Sequence, residues 1–87
     1  RGDRSGVFAG YIVERNGREV NMIQCRRLWY WDGAASISQI AVDGVTKGGN
    51  CKFPVAVSEM LILDAIEILP ATDKARNSIS EVSIWEE

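Results

Sequence analysis

Cys25-Arg26-Arg27-Leu28-Trp29-Tyr30-Trp31-Asp32-Gly33-Ala34-Ala35-Ser36-Ile37-Ser38-Gln39-Ile40-Ala41 joins two arginines, three aromatics, a small-residue turn and a helix start in one run. The alternation of side chains along a strand predicts a strand over Arg26–Trp31. It sets Arg27, Trp29 and Trp31 on one face and Arg26, Leu28 and Tyr30 on the other. Asp32 to Ala35 turn the chain. Ser36-Ile37-Ser38-Gln39 then matches a capping box, with Ser36 bonding the amide at Gln39 and Gln39 reaching back. Ile37, Ile40, Ala41 and Val45 form the inward stripe of a short helix that Gly44 ends.

Upstream of that run, Val7–Val13 reads as a strand with a bulge or a close backbone approach at Gly10. Asn16-Gly17 is a hairpin signal. Arg18–Ile23 is the returning strand, with Val20 and Met22 on one face and a bend at Gln24-Cys25. Downstream, Thr46–Cys51 is a polar loop, and Lys52–Val57 is an edge strand because Pro54 cannot donate to a central ladder. Met60–Leu69, apolar on both faces, reads as the central strand. Thr72 caps a last helix through Glu81 with Ala75, Ile79 and Val82 inward. Trp85 is expected to fold back on the sheet or on a neighbouring subunit. These elements add up to one α+β domain over residues 1–87. Its architecture is expected to be a curved or barrel-like, mainly antiparallel sheet of about five strands with two short helices.

Composition narrows the function. The chain has 87 residues, 46% hydrophobic and 25% charged, with a net charge of −2. Such a length gives one domain with a small core, so a homo-oligomer is expected. An acidic balance argues against duplex nucleic acid as a partner, since phosphate binding needs basic excess. Met60–Leu69, interrupted by Asp64 and Glu67, is too short to cross a membrane. No methionine precedes Arg1, so a few leading residues are expected to be missing or trimmed. Arg1-Gly2-Asp3 spells an integrin-recognition tripeptide, read here as coincidence. Cys25 and Cys51 are expected to stay free thiols.

There is no histidine, which removes the commonest general base and metal ligand. Neither cysteine has a histidine to activate it, two cysteines do not make a zinc site, and no phosphate-binding glycine motif is present. No enzyme activity, metal or cofactor is expected. Recognition is what remains. Trp29, Tyr30 and Trp31 offer faces on which a base can stack. Arg26 and Arg27 can pair with phosphate. Ser36, Ser38 and Gln39 add hydrogen bonds at a helix start that favours anions. Lys52 and Arg4 flank them on loops. A structural reading stands beside this one: the aromatics can be packing, Arg26 and Arg27 can pair with Glu14 or Glu19, and Ser36 and Gln39 can serve the cap alone.

Gly6-Val7-Phe8-Ala9-Gly10, Arg26-Arg27-Leu28-Trp29-Tyr30-Trp31, Gly33-Ala34-Ala35-Ser36-Ile37-Ser38-Gln39, Cys51-Lys52-Phe53 and Glu67-Ile68-Leu69-Pro70 resemble a family of small, largely uncharacterised bacteriophage and prophage proteins. The resemblance covers nearly the whole chain and supplies no catalytic motif. It implies a phage origin and action in the cytoplasm of the infected bacterial host. Phages make small oligomeric proteins that sequester the nucleotide second messengers of bacterial immunity. The expectation is therefore a non-catalytic sponge for a cyclic nucleotide. The alternatives are a phage accessory acting through protein–protein contacts or as a homo-oligomer, and a single-stranded nucleic-acid binder.

Overall fold

The computed structural model describes residues 1–86. Among them the chain forms β1 (Phe8–Asn16), β2 (Glu19–Arg27), α1 (Ile37–Asp43), a 3-10 turn at Gly48–Asn50, β3 (Val57–Ile62) and α2 (Asp73–Glu81). The sheet has three antiparallel strands in the order β1-β2-β3. It is open, with β1 and β3 as its edges. The chain is α+β with two helices, but the sheet of about five strands and its barrel-like closure are overturned.

One merged strand, one lost strand and one displaced strand account for the difference. Arg26 and Arg27 do not start a strand; they are the last residues of β2, which runs through the expected bend instead of stopping there. Beyond them only Tyr30 pairs, in a single bridge to Lys52. The Lys52–Val57 stretch is reduced to that bridge and one from Phe53 to Ile84, with Pro54 unable to extend the ladder. Met60–Leu69 is not a central strand either. β3 ends at Ile62 and pairs on one side only, and Leu63, Ile66 and Ile68 are exposed. An apolar run signals burial on both faces only when something covers both, and here nothing covers the second.

Local signals nearer the hairpin are obeyed. β1 and β2 are joined by Gly17-Arg18, with Gly17 at φ 61°; Asn16 stays in the strand, so the turn comes one residue later than the hairpin signal placed it. Between the pairs Ala9↔Arg26 and Tyr11↔Ile23, β2 holds two residues against one. That bulge is Gln24-Cys25, with Gln24 at φ 47°, opposite Gly10. A Cβ on Gly10 would stand 2.9 Å from the Cys25 Cα, so glycine is required by close approach of the opposing backbone. The bulge turns Cys25, which strict alternation would set opposite Met22, into the same buried cluster as Val20, Met22 and Ile62. Burial pushes the Cys25 thiol up, partly offset by Arg27.

The helices build a second cluster of Leu28, Ile40, Val45, Cys51, Phe53, Ile79 and Val82. Ser36 Oγ accepts from the Gln39 amide at 3.2 Å, and Gln39 Oε1 accepts from the Ala35 amide at 2.7 Å. Gln39 thus reaches back one residue further than a strict capping box. Thr72 Oγ1 accepts from the Ala75 amide and donates to Val42 O, locking the start of α2 onto the end of α1. Gly44, at φ 75°, ends α1 where a Cβ would lie 2.4 Å from the Ser78 Cβ. Cys51 is buried and free, as is Cys25; its Sγ holds the Asp32 turn through the Asp32 amide at 3.4 Å. A cavity of about 140 Å³ lies between the two clusters, walled by Val20 and Met22 on one side and Ile40 and Ile79 on the other.

Candidate functional site: an aromatic patch with one lysine

The ribbon formed by residues 52–54 and 83–85 has two sides. Trp85 donates its amide to Phe53 O at 3.0 Å, and alternation then sends Phe53 inward and Lys52 outward. Phe53 is fully buried and Lys52 is exposed.

On the inner side sits Arg26, only 8% exposed. Its Nε donates to Pro54 O at 3.0 Å, Nη1 to Ile79 O at 2.9 Å, and Nη2 to Phe53 O and Ser83 O at 3.0 and 3.1 Å. The guanidinium carbon lies 5.4 Å from the Phe53 ring centroid. Ile79 O belongs to the last turn of α2, where the helix dipole favours a cation, and Ser83 lies just past its C-cap Val82. Burial pulls the Arg26 guanidinium below its ordinary value. Arg26 is a tie between β2, the ribbon and α2, with its donors spent on carbonyls. Arg27 is likewise engaged: Nη1 donates to Ser5 O at 2.5 Å, and the group lies 4.5 Å over the Phe8 ring. Neither arginine meets Glu14 or Glu19 in an ion pair among the described residues.

On the outer side Trp29 stacks on Trp85, with centroids 5.1 Å apart and planes 6° from parallel. Lys52 Nζ is 5.4 Å from the Trp29 centroid and 5.6 Å from that of Trp85. Near-equal distances put the ammonium beside the pair, near the plane that bisects it, and not over an outer ring face. It is also 5.9 Å from the Tyr30 ring. Trp29 is 58% exposed and Tyr30 51%. Large rings at this exposure cost free energy in water, and the lysine gives the patch a positive charge with no carboxylate in an ion pair to it among the described residues.

Of the residues expected to bind a ligand, the structure brings Trp29, Tyr30 and Lys52 together. The others lie elsewhere. Trp31 is half-buried against the helix-backed cluster. Ser36 and Gln39 serve the cap of α1, Ser38 is exposed on its first turn, and a seven-residue helix has little dipole to offer. Arg4 is exposed, and its backbone amide donates to Asp64 Oδ2 at 2.7 Å. Trp85 is the member sequence reasoning left out of the site. Its size was read as a need for cover, but its partner could not be named because Trp29 is 56 residues away in the chain and is brought to it by the Tyr30–Lys52 and Phe53–Ile84 bridges together.

Behind the patch, across the same ribbon, a groove of about 620 Å³ runs between α2 and the β2 bulge. Tyr11, Gln24, Val55, Arg76, Ser80 and Ile84 line it. No helix among the described residues is long and apolar enough to cross a membrane. A family model described as a domain of unknown function (DUF6948) matches residues 1–79. No curated protein and no solved structure matches the chain.

Proposed function

We propose that this chain, which belongs to the DUF6948 family, is a non-catalytic binding protein that takes a planar anionic ligand of the nucleotide class on the Trp29–Trp85 patch. The observation that carries the proposal is the exposed parallel tryptophan pair with Lys52 beside it. An outer ring face takes a base, Tyr30 extends the platform, and Lys52 meets phosphate. Stacking contributes roughly 1–3 kcal/mol per base, and the lysine acts as a mobile point charge. Arg26 and Arg27 are not part of this site, since Arg26 spends its donors on four carbonyls and Arg27 is held by Ser5 O and the Phe8 ring. In its finer form the proposal is that of a phage protein, acting in the cytoplasm of the infected bacterium, which sequesters a cyclic nucleotide second messenger of immunity. Sequestration needs affinity and abundance and no acid–base chemistry.

The test is calorimetry against cyclic di- and trinucleotides and cyclic ADP-ribose isomers, with tryptophan fluorescence as a second readout. Saturable binding at about micromolar Kd or tighter (about −8 kcal/mol) to one of them, weakened tenfold or more (about 1.4 kcal/mol) by Trp29→Ala, is the expected result. Absence of saturable binding across the panel overturns it.

A second reading rests on a different observation. Val20 and Met22 point inward, so Asn21 and Ile23 face out, and across from them Tyr11 and Leu61 are 47% and 55% exposed. This outer sheet face, between two open edges, suits a protein partner or a second copy of the chain. Under that reading Leu61→Asp changes the sedimentation behaviour and leaves nucleotide titrations flat.

A further inference from the structure

Three sulfur atoms meet under the β2 bulge. Cys25 Sγ lies 3.8 Å from Met22 Sδ and 3.8 Å from Met60 Sδ. A thiol has one hydrogen and cannot donate fully to both, so hydrogen bonding does not account for the convergence. Met22 and Met60 are cross-strand partners, which sets their side chains next to each other on one face. Cys25 joins them only because Gln24 adopts φ 47°, a conformation uncommon for a residue other than glycine, Asn or Asp. Bulges of this kind re-aim single side chains and cluster at functional positions.

We infer that Met22, Cys25 and Met60 form a site for one soft monovalent d10 ion, Cu(I). Thiolate and thioether sulfurs select this class of metal. A metal held by three sulfurs in a plane at about 2.3 Å each sets those sulfurs about 4.0 Å apart, close to the 3.8 Å seen on both sides of Cys25. Charge points the same way. On binding, the Cys25 S–H bond breaks, the proton leaves to solvent, and a sulfur–copper bond forms with no change of oxidation state. One thiolate and one monovalent cation give a neutral unit, which suits a site where Cys25 is 1% exposed. A divalent ion there leaves a buried net charge, and zinc asks for a fourth ligand. The route in passes Met60, which is half-buried on the edge strand β3. The cavity walled by Met22 gives that side chain room to adjust. Among the described residues no cluster of three histidine, cysteine or carboxylate side chains could hold a metal; two of the three ligands here are thioethers.

The test is an anaerobic titration of the intact protein with Cu(I) against bicinchoninate, read by absorbance, with native mass spectrometry for stoichiometry. One copper withdrawn per chain and one proton released is the expected result. Cys25→Ser abolishes it and Cys51→Ser leaves it unchanged. Met22→Leu and Met60→Leu preserve core volume, and each weakens the competition by about tenfold or more. X-ray absorption of the loaded protein shows three sulfurs at about 2.3 Å. Should Cys25→Ser fail to fold, the two methionine variants and the absorption spectrum carry the decision. A wild-type protein that withdraws no copper overturns the inference, as does binding that is lost with Cys51→Ser or unaffected by both methionine changes.

Discussion

Two cations lie against aromatic rings on opposite sides of one short ribbon, and their fates differ. Arg26 is buried over Phe53 with four carbonyls around its guanidinium. Lys52, adjacent to Phe53 in sequence, stands in solvent beside Trp29 and Trp85. The pairing of cation and ring is the same; what differs is how many hydrogen bonds the cation finds within the fold. A planar fork with five donors can be satisfied by backbone alone, and so it can be buried. An ammonium at the surface keeps its hydration and stays available. The lesson is that an arginine and a lysine beside aromatics do not make equal binding candidates, and that the better-bonded cation is the worse one.

The largest expected effect comes from breaking the inner half. Arg26→Met keeps the bulk but leaves the carbonyls of Phe53, Pro54, Ile79 and Ser83 short of donors, costing about 3 kcal/mol. In a domain of this size that lowers the melting temperature by about 12–24 °C in a thermal denaturation scan. Arg26→Lys falls between the two, because an ammonium cannot span the fork. A shift of only a degree or two for Arg26→Met would mean the inner cation is no tie.

The outer half should respond more weakly. Trp29→Ala loses the stack on Trp85 and costs about 0.5–1.5 kcal/mol of stability, while Lys52→Met costs about 0.5–1 kcal/mol. Both should keep the circular dichroism spectrum of the parent. If Lys52→Met destabilises as strongly as Arg26→Met, the two sides of the ribbon are not distinct in kind.

Asp64 offers a charge of intermediate burial and the smallest, most local effect. Its carboxylate accepts from the Ser5 hydroxyl at 2.6 Å and from the Arg4 and Ser5 amides at 2.7 and 3.2 Å. These bonds, the Ser5 hydroxyl first, hold its carboxyl below the ordinary 3.8. A depressed folded value means the contribution is present above the unfolded value and is lost as pH falls through the folded one. Hydrogen exchange should therefore show the amides of Arg4 and Ser5 protected near neutral pH and released in acid, once the pH has fallen past the ordinary carboxyl value of 3.8. Asp64→Asn, with one acceptor oxygen, should show part of that release at neutral pH already. Protection that does not change with acid would place the anchor elsewhere.

The legible parts of this molecule are those set by neighbours in the chain. Ser36, Gly44 and Thr72 were readable as helix boundaries because capping involves residues three or four apart. Gly10 and the Gln24-Cys25 bend were readable as an irregularity because alternation changes phase there. What the sequence misread, it misread for one reason. Arg26–Trp31 and Met60–Leu69 carry strand-like residues, but a strand exists only where a partner offers its ladder, and partners come from far along the chain. Leu63, Ile66 and Ile68 look like core to any local reading and lie in water.

The candidate site divides along the same line. Trp29, Tyr30 and Lys52 could be named from residue type, while Trp85 and the withdrawal of Arg26 and Arg27 could not. By itself the sequence determined the α+β class, both helices with their caps, the β1–β2 hairpin and the list of residues able to stack or pair with anions. The tertiary structure alone decided the strand count, the open sheet, and which side of the residue 52–54 ribbon each aromatic and cation occupies. Helix caps and turns close within a few residues, where backbone hydrogen bonds and φ preferences act. Strand pairing and burial instead depend on contacts between distant segments, whose free energy no local stretch contains.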